Sequence, residues 1–173
     1  MMITAHHKCV AGVATTELKV ALTGSLILSL VIWATAIQPL LTFLSAADIK
    51  TAVNAVEVAA KNYYGKDIIL THCLTPTQPI STNALISQKL LNADLVIGKN
   101  YQLSVSYVLQ HIGSWSRASM INVDVTFTNA NELQRVTGFL DGTLLSPTQL
   151  RFTQPVDFDV DWRSFNPATG CLN

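Results

Sequence analysis

Residues 20–44 read VALTGSLILSLVIWATAIQPLLTFL, and no charged side chain falls between Lys19 and Asp48. At about 1.5 Å per residue, this run reaches roughly 37 Å as a helix, enough to cross a hydrocarbon core of about 30 Å. The run therefore predicts a transmembrane segment over about residues 20–44. Lys8 and Lys19 precede it, so the excess of basic residues on the cytoplasmic side puts the N-terminus in the cytoplasm and the remainder outside. Composition agrees: 49% of the 173 residues are hydrophobic and only 13% charged, against about 25% charged in an average soluble protein.

Downstream the apolar pattern changes period. Ile49, Val53, Val56, Ala60 and Tyr63 recur three or four residues apart, with Asp48, Lys50, Asn54, Glu57 and Lys61 between them. This is the signature of an amphipathic helix continuing from the apolar run. From about Thr15 to Tyr64 such a helix would be roughly 75 Å long. Pro39, which lacks an amide hydrogen and crowds the preceding turn, predicts a kink in it. Glu57 and Lys61 stand four apart in the favourable order, a pair contributing about 0.2–0.5 kcal/mol, and Gly65 is the expected C-cap.

The rest of the chain reads as a small sheet with short helices. A loop covers Leu74 to Pro79, and Ser81 or Thr82 is placed to cap a short helix through Leu85, Ile86, Lys89, Leu90 and Leu91. Gly98 and Asn100 mark a turn, after which Tyr101, Leu103, Val105, Tyr107 and Leu109 alternate with polar residues, as do Ile121, Val123, Val125 and Phe127. Period two predicts two strands, with Gly113–Ser114 as the hairpin between them. Asn129 to Leu140 fits a short helix, Asp141–Gly142 a turn, and Leu150 to Trp162 one or two more strands broken at Pro155. An antiparallel sheet of three to five strands, with one apolar face, can bury the apolar stripe of the helix in a two-layer α+β unit.

Eleven basic and eleven acidic residues cancel, and no basic stripe interleaved with aromatics offers a nucleic-acid surface. No catalytic constellation is present. His72 and His111 are isolated, and there is no Gly-x-Ser-x-Gly, phosphate loop, dinucleotide fingerprint or His-Glu-x-x-His, so no enzyme activity and no cofactor are expected. Tyr63, Tyr64, Tyr107 and Trp115 read as core or rim residues.

The most specific pattern precedes the apolar run: Gly12, then Val13-Ala14-Thr15-Thr16-Glu17 and Leu18. It resembles the leader of type IV pilins and type II secretion pseudopilins. The resemblance implies cleavage between Gly12 and Val13 by a prepilin peptidase on the cytoplasmic side, leaving the apolar segment on the mature chain. It places Glu17 at the fifth mature position, where its carboxylate pairs with the freed amine of Val13 on a neighbouring subunit. A carboxylate at the start of a span needs such a partner, and Lys19, two positions away, points to the opposite side of the helix. Thr15 and Thr16 stand where the family is usually apolar, Val13 replaces the commoner phenylalanine or methionine, and Lys19 is an unusual early charge that can snorkel to the interface.

The expectation is thus a pilin-like α+β fold: a leader over 1–12, a long N-terminal helix over 13–64 and an extracytoplasmic head over 65–173. The implied role is a structural, minor subunit of a pilus or related filament. Its implied partners are other pilin-like subunits, the prepilin peptidase and an inner-membrane assembly platform. It would reside in the bacterial inner membrane before assembly and in a periplasmic or surface filament afterwards.

Cys73 and Cys171 both follow the span, where an oxidising compartment permits a disulfide. Many pilins secure their C-terminal region in this way, and two free buried thiols are the alternative. Cys9 with His6 and His7 lacks a fourth ligand for a tetrahedral metal site. Asp157, Asp159 and Asp161 alternate with Phe158, Val160 and Trp162, which predicts a solvated strand face rather than a calcium loop. No metal is expected at either place. Two further readings of the whole chain stay open. One is a single-span envelope protein whose Gly12–Glu17 pattern is accidental. The other is a secreted domain cut after Ala36 in Ala34-Thr35-Ala36.

Overall fold

The computed structural model describes residues 11–158 and 164–172, without the side chains of residues 11–17, 34 and 36. Residues 1–10, Asp159 and Asp161, on which expectations were placed, lie outside the described residues. The chain divides into two units, residues 1–42 and 43–173.

Residues of the first unit form helix α1 (Ala11–Ile32), followed by a π-helical turn (Trp33–Ile37). Helix α2 (Gln38–Thr71) begins there and runs on into the second unit. The π-helical turn is where Pro39 makes itself felt. A proline cannot donate to the carbonyl four residues back and collides with it, and a wider turn just ahead of the ring removes that conflict. The amide of Gln38 accordingly reaches back five residues to the Trp33 carbonyl. No helix among the described residues is long and apolar enough to cross a membrane. The apolar run of residues 20–44 is shared among α1, the π-helical turn and the first turns of α2.

The second unit is α+β. After α2 come helix α3 (Thr82–Ser87), a 3₁₀ turn (Ala93–Leu95), strands β1 (Tyr101–Ile112) and β2 (Trp115–Phe127), helix α4 (Ala130–Thr137), and strands β3 (Thr143–Ser146) and β4 (Gln149–Pro155). The four strands form one antiparallel sheet in the order β1-β2-β4-β3. Gly113, at φ +60°, opens the two-residue turn between Ile112 and Trp115. A positive φ at the first central position suits a type II′ hairpin and costs a glycine nothing.

One face of the sheet carries the core. Leu103 pairs with Val125 and Val125 with Leu150, while Val105 pairs with Val123 and Val123 with Phe152. On this surface lies α2, burying Ala46, Ile49, Ala52, Val53, Val56, Ala59, Ala60 and Tyr63. Four alanines in that stripe let the helix backbone approach the strands closely, and the β-branched strand residues fill the remaining space. Leu85, Leu91, Leu133, Val136 and Leu140 close the ends of the core. The opposite face is polar: Asp124 of β2 holds Arg151 of β4 through two short hydrogen bonds of 2.6 and 2.7 Å.

The short helix expected to run through Leu91 ends at Ser87, with Lys89 left-handed at φ +60°, and three further expectations need correction. Gly65 does not end the helix; α2 continues to Thr71, and Gly65 leaves room for the ring of Phe158, 3.5 Å from where a Cβ would stand. The helix stops at His72, which turns left-handed at φ +58° while its amide still bonds the Ile68 carbonyl at 2.8 Å. Histidine is among the few non-glycine residues enriched in that conformation. Second, β2 begins at Trp115, six residues before the expected start, and passes a bulge opposite Val108 and Leu109. Third, Asp157 is not on a strand: β4 ends at Pro155, and Asp157 is exposed beyond it.

Candidate functional site

Gly12, Val13 and Glu17 all lie in the backbone of α1, and their side chains are outside the description. From Leu18 onward the side chains are described, and the large apolar ones stand open to solvent. Leu18, Val20, Leu22, Leu26, Ile27, Leu28, Leu30, Val31, Ile32, Trp33, Leu40 and Leu41 are all exposed within the first unit. Contiguous apolar surfaces of this extent are uncommon on water-facing helices.

At the other end of α2, Cys73 and Cys171 are joined in a disulfide across 98 residues of sequence. The bond sits in a small clasp of backbone. The amide of Leu74 donates to the Gly170 carbonyl at 2.9 Å and that of Leu172 to the His72 carbonyl at 2.7 Å, so the C-terminal segment pairs antiparallel with the chain leaving α2. Side chains of the β1–β2 hairpin hold the same segment: Ser114 Oγ donates to the Ala168 carbonyl at 2.8 Å and Trp115 Nε1 to the Pro167 carbonyl at 3.0 Å.

Beneath the clasp lies Tyr64, 2% exposed. Its hydroxyl donates to the Leu74 carbonyl and accepts from the Ala118 amide at 3.3 Å. Desolvation raises its pKa above the ordinary 10, against the opposing influence of the Ala118 amide and the Arg117 charge. The Tyr64 hydroxyl is thus spent on structure, consistent with a core residue. A cleft of about 330 Å³ adjoins it, with Arg117, Asp157 and Phe158 among its walls.

A second feature escaped sequence reasoning. Glu57 was expected on the solvated face of the helix, paired with Lys61. The structure buries it to 8% exposure. It makes no hydrogen bond or ion pair among the described residues, and burial raises its pKa above the ordinary 4.5 despite the attraction of Lys61. Glu57 lines a groove of about 410 Å³ with Val53 and Asn54 of α2 and Phe152 and Gln154 of β4, closed at one end by the Lys50–Asp141 ion pair. The sequence signal was available: Glu57 directly follows Val56 in a helix that buries adjacent pairs, such as Ala52–Val53 and Ala59–Ala60.

Among the described residues no cluster of three or more His, Cys, Asp or Glu could hold a metal ion. His6, His7 and Cys9 are outside the description. Compared with protein-family models, curated proteins and solved structures, the chain matches none.

Proposed function

We propose that this protein is a pilin-like structural subunit, made as a membrane-anchored precursor, cut between Gly12 and Val13 and assembled through its apolar N-terminal helix. The observation that carries this reading is the contrast along the helical region. Residues 46–64 of α2 are spent on covering the sheet, whereas the large apolar side chains from Leu18 to Leu40 are mostly exposed among the described residues. Burial of apolar surface is worth about 25 cal/mol per Å², so a dozen exposed large side chains require lipid, other helices, or each in turn. A filament subunit uses both.

The Gly12–Glu17 pattern supplies the route from one environment to the other. Cleavage after Gly12 frees the Val13 amine, and the Glu17 carboxylate of a neighbour offers that amine a counter-charge where water is scarce. The anchoring segment is the apolar run taken whole, including the π-helical turn, rather than any one helix within it. Partners on this reading are other pilin-like subunits, a prepilin peptidase and an inner-membrane assembly platform. The head domain, with its disulfide, faces the oxidising side of the membrane.

The deciding measurement is the N-terminal residue of the chain recovered from bacterial envelopes that carry a prepilin peptidase. Val13 is the expected result, with processing blocked when Gly12 is replaced by a bulky residue. An intact Met1 would indicate a simple anchor, and Ile37 a secreted domain; either would overturn the proposal. Glu17→Ala is expected to be cut normally but to fail to incorporate.

A further inference from the structure

The last two residues of the uncharged run, Phe43 and Leu44, fall in the second unit. The corner that follows α4 brings Phe139 against Phe43, the two rings meeting edge to face with centroids 6.0 Å apart. That contact covers only part of either ring: Phe139 remains 45% exposed and Phe43 53%, and the neighbouring Leu44 is exposed as well. Leu140, the next residue along the corner, is buried in the core, so the chain here turns one apolar side chain inward and presents the other. Two residues before Phe139, Thr137 lines a cleft of about 420 Å³ with Leu133, Pro147 and the exposed Leu144.

The corner is held in place. The Phe139 amide donates to the Val136 carbonyl at 2.9 Å and the Leu140 amide to the Thr137 carbonyl at 3.3 Å, while Asp141 is tied to α2 by Lys50 at 2.9 Å. Two residues before Lys50 on the same helix, Asp48 is paired with Lys99 at 2.9 Å. Asp48 and Lys50 are the first charges after the run. Asp48 stands about 6 Å beyond Leu44 along the helix, and a headgroup layer is about 5–7 Å deep on each side of the hydrocarbon. With Leu44 at the edge of the hydrocarbon, these charges begin where headgroups meet water, and Phe139, beside Phe43, lies at the hydrocarbon boundary. Each acid at this level has its own base, so no excess charge selects an anionic lipid.

We propose that the Phe139 corner, with Phe43 and Leu44, rests in the surface of the bilayer that holds the apolar run, its rings among the outermost acyl carbons of zwitterionic lipid. Phenylalanine and leucine are the side chains that interfacial segments sink to this depth, and burial of the open ring surface drives the seating. The inference rests on the membrane-anchored reading and adds a second point of contact to it: the head is seated by the corner between α4 and β3 as well as tethered by its helix.

The test places the full chain in phosphatidylcholine bilayer discs, with and without phosphatidylcholine that carries a nitroxide near the glycerol end of an acyl chain, and follows amide resonances. Those of residues 138–140 are expected to lose most of their intensity to the nitroxide and to stay shielded from a water-soluble gadolinium chelate. Residues 72–74, past the far end of α2 and roughly 42 Å from Phe43, should show the reverse. Phe139→Ser should release residues 138–140 to the chelate without moving the resonances of residues 72–74, and Phe139→Leu should keep the lipid contact. Nitroxide broadening within residues 20–40 but none at 138–140 would overturn the seating and leave the anchor standing. Broadening at neither would overturn both. Shielding of residues 138–140 from the chelate without nitroxide broadening would mark a protein contact in place of lipid, and an unreleased corner in Phe139→Ser would show that the ring does not seat it; either result overturns the proposal.

Discussion

Trp115 packs its indole directly over the bare α-carbon of Gly170: a Cβ there would stand 2.4 Å from two carbons of the ring, an overlap that something would have to shift to relieve. Gly170 also sits at φ +70°, which favours glycine for a second, independent reason. Gly170→Ala is therefore expected to destabilise the second unit by about 1–3 kcal/mol. Thermal unfolding followed by tryptophan fluorescence should show both a lower midpoint and an altered environment for Trp115. An unchanged midpoint would mean that the clasp contributes little.

Removal of the disulfide tests the same region by a different route. Cys171→Ser opens a covalent loop whose ends are 98 residues apart, and losses of about 2–5 kcal/mol are typical for small domains. Chemical unfolding of the oxidised chain and the variant should differ by that amount. Reduced wild-type protein should follow the variant.

Tyr64→Phe keeps the ring and deletes one oxygen. The Leu74 carbonyl and Ala118 amide then lose their shared partner in a buried place, at a cost of about 1–3 kcal/mol. Native-state hydrogen exchange should report the change first at the Ala118 amide. Protection unchanged at that amide would show that another acceptor takes the place of the hydroxyl.

Glu57 makes stability depend on pH in a direction opposite to that of an ordinary salt-bridged acid. Burial first, only partly offset by Lys61, raises its folded-state pKa above 4.5. Between the unfolded and folded values the native state binds more protons, so this group's contribution falls as pH rises. Glu57→Gln should unfold at a higher temperature than wild type at pH 7.5. That advantage should shrink as pH falls through the raised pKa and vanish below about 4.5. A constant difference at every pH would assign the effect to something other than ionisation.

Much of the sheet unit was legible because its periods are long and clean. Seven alternating residues from Tyr101 and seven from Ile121 place β1 and β2, and the three-to-four spacing from Ile49 to Tyr63 places the buried stripe of α2. Ser81 caps α3, and Asn129 caps α4 by accepting from the Glu132 amide at 3.0 Å. β3 was not legible: Thr-Leu-Leu-Ser has no alternation, its first three residues are exposed, and only its pairing with β4 makes it a strand. Gly65 misled because a glycine can mark either a stop or a close approach, and the neighbour that decides, Phe158, is distant in sequence. The pairing of Cys73 with Cys171 rested on compartment and resemblance, since nothing local shows that two residues so far apart meet. Glu57 was read by charge alone, whereas its place on the helix cylinder settles its burial.

All four strands lie between Cys73 and Cys171, which gives that bond a meaning in time as well as in space. During synthesis it cannot close until every strand has emerged. A chain halted anywhere within the sheet carries an open Cys73 thiol, free to be caught by the wrong partner. Closure thus reports that the sheet is complete, and a thiol reagent added to nascent chains would label Cys73 in molecules still short of Cys171 and pass over it once the bond has formed.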